Sequence, residues 1–280
     1  MNVGLKLLTV LLTLAAGLAG PADAVAATQS GHSGDVSVTF SFAGTAPNVT
    51  HQRLKIVRAG KVLYNAAVSS PVCGSQCGPG AIGSHASSVS VRDIESDGQP
   101  DVILSLFSGG ADCCFVDQVF SLNAGRTTYI KTERNFAYEG AAIKDLAHNG
   151  HYQFLSGNGA FVGEFTDNAD SGAPIQILSF GAHRFHDVTR QYPKLIAADA
   201  VSWLKLFEHP QTRDDTVGLI AAWAADEELL GQDKLVQSTL DSEASKGDLR
   251  SPPGSGGIWK SGKPFIKALN RFLVKNGYEK

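Results

Sequence analysis

Residues 93–104 read Asp-Ile-Glu-Ser-Asp-Gly-Gln-Pro-Asp-Val-Ile-Leu, an acidic loop that runs directly into an apolar segment. Carboxylates stand at loop positions 1, 3, 5 and 9, and a glycine at position 6 permits a sharp turn. Calcium binds six to eight oxygen ligands, and alternate residues of a tight loop can surround an ion. Without a cation, these neighbouring carboxylates would repel one another. The stretch therefore predicts a calcium loop that feeds a β-strand.

The predicted calcium ligands are four side chains and one backbone carbonyl: Asp93, Glu95, Asp97, Asp101 and the carbonyl of Gln99. An EF-hand would need a bidentate Glu at position 12 and a helix after the loop. Position 12 is Leu104, within an apolar run that is typical of a strand. The loop is therefore not predicted to be an EF-hand. The alternative interpretation is a solvated acidic hairpin that binds no ion.

A weaker copy of this loop begins at Asp145. Asp145, Asn149 and Gly150 match positions 1, 5 and 6 of the first loop. Ala147 at position 3 has no ligand atom, and Gln153 at position 9 is neutral. We therefore expect a structural repeat that has lost its metal or binds it weakly.

The pattern Asp-x-Glu-x-Asp-Gly-x-Pro-Asp followed by Val-Ile-Leu resembles the FG-GAP/VCBS repeat of integrin-α-like β-propellers. The resemblance covers residues 87–190, with one intact motif, and Glu95 departs from the more usual Asp or Asn. It implies calcium binding by the acidic loop between strands of a blade. A complete propeller needs several hundred residues, so at most two or three blade-like units are expected. The chain also resembles uncharacterised exported bacterial proteins with such repeats, which implies no activity.

Two regions of the sequence have different hydrophobic periods. Residues 35–189 contain short alternating or β-branched runs between clusters of Gly, Asn, Ser and Asp, which is typical of antiparallel strands. From Pro193 onward, apolar residues recur at helical spacing. The predicted fold class is therefore α+β. An antiparallel β domain of two to three propeller-blade-like units, residues 28–190, precedes a C-terminal bundle of about four helices, residues 193–280.

The N-terminal segment predicts export. Lys6 precedes an uncharged run, residues 7–19, which has the length of a signal-peptide h-region. Small residues before Val25 and before Thr28 fit a signal-peptidase site. We therefore assign residues 1–27 to a cleavable signal peptide and expect a secreted protein. The apolar run is too short for a membrane anchor, and no later stretch reaches spanning length.

Net charge and the absence of common enzyme motifs limit the functions that this sequence favours. The formal net charge is −3, and no basic stripe favours nucleic acid or an anionic membrane surface. The motifs of nucleophile-elbow hydrolases, zinc proteases and P-loop enzymes do not occur. The sequence favours a monomeric, non-catalytic calcium-binding module whose partner is an extracellular protein or glycan. The alternative is an exported hydrolase with its site between the β and α regions. Separately, Glu164 and Asp170 are a loop carboxylate pair that could serve a glycosidase.

The four cysteines of an exported chain predict two disulfides. Cys73 and Cys77 share a loop rich in Gly, Pro and Ser, whereas Cys113 and Cys114 are adjacent in sequence. Because adjacent cysteines pair only through a strained ring, we expect each of the first two to pair with one of the second two. A redox or copper site formed with His85 is the less favoured alternative.

Overall fold

The structure is a computed structural model that describes residues 26–45, 48–80, 87–110, 113–210, 216–252 and 256–279. Within these ranges the chain forms strands first and α-helices last. The strands are β1 (Ala26–Ser33), β2 (Val36–Ala43), β3 (Thr50–Arg58), β4 (Lys61–Ala67), β5 (Gly78–Pro79), β6 (Val89–Arg92), β7 (Asp101–Gly110), β8 (Cys113–Leu122), β9 (Tyr129–Asn135), β10 (Ala142–Lys144), β11 (Gln153–Gly157), β12 (Ile175–Gly181) and β13 (Arg184–Asp187). The helices are α1 (Pro193–Glu208), α2 (Val217–Leu229), α3 (Asp233–Lys246) and α4 (Gly262–Lys275).

The strands form three antiparallel sheets. The N-terminal sheet is a meander of β1 to β4, and the third sheet is a meander of β10 to β13. The central sheet has the order β5-β7-β8-β9, and β6 also pairs with β7. The predicted α+β class is confirmed in this coarse form, with antiparallel sheets followed by four helices in the described part of the chain. These strands make three separate sheets and do not close into a propeller.

The N-terminal sheet follows from a period of two residues. Val36, Val38 and Phe40 of β2 are buried, whereas Ser37 and Thr39 between them are exposed. Successive side chains of a strand point to opposite faces, so this sheet has one apolar and one polar face. Its apolar face packs on the central sheet.

Strands β7 and β8 of the central sheet are buried on both faces. Val102 and Leu104 of β7 pack against the N-terminal sheet, in a cluster that includes Phe40. Ile103 lies in a second cluster with Phe154 of the third sheet. This two-sided burial explains why the sequence after the acidic loop reads as an unbroken apolar run.

The four helices form a core of their own beside the third sheet. Helix α2 is apolar on nearly every side, and its Trp223 is buried against α1, α3 and α4 residues of the same cluster. Phe161 and Phe165, from the loop before β12, complete this core. The guanidinium of Arg190 donates to carbonyls near the ends of α2 and α4, including that of Leu229 at 3.0 Å. The helices are therefore attached to the sheets by both apolar packing and hydrogen bonds.

The predicted disulfide pairing is wrong for the first two cysteines. Cys73 and Cys77 bond to each other, with a Cα–Cα distance of 5.5 Å, which is typical of a disulfide. The loop folds back on itself through paired backbone hydrogen bonds between Ser70 and Gly74, which brings the two cysteines together. Cys114 also lies in a disulfide. His85, the proposed partner in a copper site, lies outside the described residues.

Most of the predicted signal peptide, residues 1–25, also lies outside the described residues. Strand β1 begins at Ala26, which pairs with Ala43 at the far end of β2. None of the helices in the described ranges is long and apolar enough to cross a membrane.

Candidate metal site

The acidic loop between β6 and β7 is organised by its own carboxylates. The two carboxylate oxygens of Asp93 accept the backbone N–H groups of Asp97, at 3.1 Å, and of Gly98, at 2.8 Å. Asp97 Oδ1 accepts the N–H of Gln99 at 2.8 Å. Gly98 has a φ of 77°, a left-handed conformation that glycine adopts at no steric cost. The loop is therefore a tight turn whose N–H groups are directed inward at acidic side chains.

Asp101 closes the loop from inside the protein. Its side chain is only 3% exposed, and Oδ2 accepts the N–H of Ile94 at 3.3 Å. Burial raises the pKa of Asp101 to about 8, and the nearby charges of Glu95, Asp97 and Asp93 add to that rise. The N–H of Ile94 opposes the rise without cancelling it. Among the carboxylates of this loop, ionisation of Asp101 is therefore the least favourable, because Asp101 is buried beside three other acids.

The second loop, between β10 and β11, repeats the same hydrogen bonds. Asp145 accepts the N–H groups of Asn149, at 3.0 Å, and of Gly150, at 2.9 Å. Asn149 Oδ1 accepts the N–H of His151 at 3.1 Å. These bonds join positions 1 to 5 and 6, and position 5 to 7, as in the first loop. The two loops therefore share the same backbone hydrogen bonds, although the second lacks three of the four carboxylates, those at positions 3, 5 and 9.

The two loops lie side by side. The N–H of Tyr152 donates to the carbonyl of Ile94 at 3.0 Å, and the guanidinium of Arg92 lies 4.5 Å from the centre of the Tyr152 ring. A side chain at Gly150 would meet Ser96 Oγ at 2.8 Å. The contact between the loops is thus close and involves both backbone and side chains.

Glu95 also reaches a group outside the acidic loop. Its carboxylate accepts the backbone N–H of Ala182, in the turn between β12 and β13, and interacts with His183. Burial raises the pKa of Glu95, and the hydrogen bond from Ala182 opposes that rise. Glu95 therefore links the acidic loop to the third sheet.

The sequence did not predict the role of His183 in this contact. His183 Nδ1 lies 2.5 Å from Ser121 Oγ on β8, and its carbonyl accepts Thr132 Oγ1 at 2.8 Å. Ser121 is 3% exposed, so this serine is not open to a substrate. The Ser121–His183 contact holds the turn against the central sheet. A histidine in a turn carries no local signal for a partner so distant in sequence.

The structure thus brings Asp93, Asp97, Gln99 and Asp101 into one turn, and Glu95 links this turn to Ala182 of the third sheet. Gln99 Oε1 is buried without a hydrogen-bond partner. Among the described residues, no group of three or more His, Cys, Asp and Glu side chains is arranged to hold a metal ion. Calcium binding by this loop therefore stays a prediction.

Neither of the carboxylates proposed for a glycosidase lines the cavity at the junction of the β and α regions. Glu164 and Asp170 are exposed, and the shallow cavity beside them is lined by Asp167, Asn168 and Trp259 among others. A cavity of about 390 Å³ does lie at that junction.

The polar groups that line this junction cavity already have structural partners. Tyr278 accepts a hydrogen bond from Asn158, Asp187 accepts two from Thr189, and Arg190 binds helix-end carbonyls. The cavity therefore offers no pair of free acids for a hydrolase.

A larger cleft, of about 810 Å³, lies among α1, α2 and α3. Two of its cations are paired within the cleft, Lys246 with Glu243 and Arg250 with Asp248. Burial raises the pKa of Glu227 on its wall, and a hydrogen bond from Trp223 opposes that rise. These groups are part of the helical packing and show no nucleophile next to a base.

Comparison of the chain with known family models, curated proteins and solved structures gives no match.

Proposed function

We propose that this protein is an exported, non-catalytic repeat protein of the FG-GAP/VCBS kind, and that calcium bound at residues 93–101 stabilises it. The proposal is supported mainly by two adjacent loops, at residues 93–101 and 145–153, that have the same pattern of backbone hydrogen bonds. Only the first of them has carboxylates at positions 3, 5 and 9. Two loops with the same backbone hydrogen bonds but different numbers of carboxylates are expected when one loop binds a cation and the other does not.

The residues of the first loop fit calcium by their chemistry. All five predicted ligands offer oxygen, which calcium prefers. The buried carboxyl group of Asp101 and the unpartnered Oε1 of Gln99 are both features that a cation would relieve. The ion would be held by Asp93, Asp97, Asp101 and the carbonyl of Gln99. Glu95 would join them only by exchanging its bond from Ala182.

A bound ion would supply positive charge at the point where the loop's carboxylates meet. Asp93 and Asp97 would still orient the loop through its N–H groups, and Asp101 would no longer carry the cost of an unpaired buried charge. The contacts of the first loop with Tyr152 and with Ala182 mean that this stabilisation extends to the third sheet.

The test is a calcium titration of the mature chain by calorimetry and by thermal unfolding. We expect a dissociation constant of about 10⁻⁴ to 10⁻³ M, as in extracellular sites, and a stabilisation of about 2.7 kcal/mol at a hundredfold excess over that value. Asp97→Asn should abolish the response, because it removes a central charge yet keeps an oxygen for the N–H of Gln99.

Asn149→Ala is the matched control. It deletes the equivalent acceptor at position 5 of the second loop, so it should lower stability slightly and leave the calcium response intact. If neither calcium nor a chelator changes the thermal midpoint of the parent, the first loop is an acidic hairpin and the proposal is wrong.

The proposal also places the protein outside the cytoplasm, with a protein or glycan as its partner. The support is the predicted signal peptide and the disulfide between Cys73 and Cys77, since disulfides persist in oxidising compartments. N-terminal sequencing of protein from the culture medium or the periplasm tests export. We expect a chain that begins between Val25 and Thr28, and a chain that retains residues 7–19 would contradict it.

A further inference from the structure

Asp226 is a buried acid with no donor. It lies on the apolar helix α2 and is 0% exposed. Neither of its carboxylate oxygens receives a hydrogen bond from an N–H or O–H group. An ionised carboxylate in such a place would be very costly.

Its nearest polar neighbour is a second acid, Asp199 on α1. The two carboxyl groups lie within hydrogen-bonding reach of each other. Asp199 Oδ2 already accepts the N–H of Ile175, at 2.9 Å, and the indole N–H of Trp203, at 2.9 Å. An ionised carboxylate only accepts hydrogen bonds, so two of them can bond only if one holds a proton. Asp199 has two donors and is suited to be the ionised partner, which leaves the proton on Asp226.

The groups around the pair favour that proton. Burial raises the pKa of Asp226 to about 10, and the charges of Asp199 and Glu227 add to the rise. The N–H of Ile175 at the start of β12 opposes it, but this N–H points at Asp199 Oδ2. The phenol of Tyr278, after α4, also faces Asp226.

A further acid, Glu139, faces Asp199 from the segment between β9 and β10. The charged groups that act on Asp226, within the described part of the chain, are thus mainly acidic. They disfavour a second negative charge at this point.

We propose that Asp226 keeps its proton at neutral pH and donates it to Asp199, which makes a proton-dependent clasp between α2, α1 and the first residue of β12. Because Asp199 also holds the N–H of Ile175, the clasp fixes the helices to the third sheet. Loss of the proton to solvent would leave two carboxylates facing each other in a buried site, and the clasp would open.

The first test compares the free energy of unfolding of the mature chain and of Asp226→Asn as a function of pH. The amide does not titrate and can still donate to Asp199. The folded-state pKa of Asp226 is raised above its unfolded value of about 3.9. The stability it contributes is therefore complete below about pH 4 and is lost as the pH rises towards 10. We expect the parent to lose stability relative to the variant with a slope of one proton between about pH 5 and pH 9. A flat difference over that window would overturn the proposal.

The second test looks for the proton directly by infrared spectroscopy at pH 9. At this pH Asp101, with a pKa of about 8, is mainly ionised. We expect a protonated-carboxyl band that is present in the parent, is lost in Asp226→Asn, and is kept in the exposed control Asp170→Asn. The proposal is wrong if the parent lacks this band, which is the result that a cation bound between the two carboxylates would give. It is also wrong if the band is unchanged in Asp226→Asn.

Discussion

Asp101 and Gln153 occupy the same place in two neighbouring loops, and each accepts the backbone N–H of the second residue of its loop, Ile94 at 3.3 Å and Leu146 at 3.1 Å. They differ in what else they do. Gln153 Nε2 donates to the carbonyl of His151 at 3.0 Å, and His151 is at position 7, where the first loop offers the carbonyl of Gln99 to an ion. In the second loop, the side-chain amide of Gln153 therefore donates a hydrogen bond to the carbonyl at position 7. In the first loop, calcium would bind the equivalent carbonyl.

This difference predicts that the second loop can be converted into a calcium loop. Ala147→Asp together with Gln153→Asp supplies the missing carboxylates at positions 3 and 9. In an Asp97→Asn background, so that the first loop is silent, we expect the double variant to gain a calcium-dependent rise in its thermal midpoint. Gln153→Asp alone should be destabilising by about 1–3 kcal/mol without calcium, because it loses the amide donor at a buried position. A folded double variant with no calcium response would contradict the prediction.

A second prediction concerns Asp117 on β8, which is 4% exposed and accepts Ser105 Oγ at 2.6 Å. Burial raises the pKa of Asp117 to about 6, and the hydrogen bond from Ser105 opposes the rise. Because the folded-state pKa is raised, the contribution of Asp117 to stability is complete below about pH 4 and is lost as the pH rises through 6. We expect the parent to lose about 2 kcal/mol relative to Asp117→Asn between pH 4 and pH 7. Denaturant unfolding at several pH values measures this, and the exposed variant Asp170→Asn should track the parent.

A third prediction concerns the disulfide between Cys73 and Cys77. Closing so short a loop should contribute about 2 kcal/mol by restricting the unfolded chain. Replacing both cysteines by serine should therefore lower the free energy of unfolding by that amount. The loop should keep its place, since Gln52 Nε2 donates to the carbonyls of Ser75 and Cys77. Non-reducing peptide mapping should find the two cysteines joined to each other, and a link from either of them to Cys113 or Cys114 would restore the pairing expected from the sequence.

A fourth prediction concerns Gly218, where α2 meets the loop before β12. A Cβ atom there would collide with the carbonyl oxygen of Asp170 and lie 2.6 Å from Thr166 Cγ2. Alanine is the better helix former by about 1 kcal/mol, yet we expect Gly218→Ala to destabilise the protein by about 1–3 kcal/mol because the contact cannot expand. Thermal unfolding measures the change. Ser238→Ala, at an exposed position of α3, should be neutral or stabilising. Equal behaviour of the two variants would show that the contact is not tight.

Local sequence patterns predicted the strands and helices that have a clear period. The apolar run after the acidic loop forms β7, and the segment from Lys61 onward forms β4 after its two-residue turn. Strand β1 was missed because Ala-Ala-Thr-Gln-Ser-Gly-His-Ser has no apolar alternation. Its strand conformation depends on pairing with β2 along its whole length.

Only those parts of the site that lie within one short stretch of sequence were predicted. Asp93, Asp97 and Asp101 act within one turn, so their spacing was enough to bring them together. The direction of Glu95 depends on Ala182, and the protonation expected of Asp226 depends on Asp199. Both partners come from other elements of the fold, and a single sequence gives no signal for such pairs.

Strands β7 and β8 of the central sheet are buried on both faces, and this determines what can be removed from the protein. Deleting the N-terminal sheet would uncover the side of β7 that carries Val102, Leu104 and Leu106. Deleting the third sheet would uncover Ile103 and Val119. The outer sheets thus act as caps, in the way that terminal repeats cap a solenoid. We therefore expect the three sheets to be soluble only together, and a single excised repeat to aggregate through the apolar surface that it uncovers.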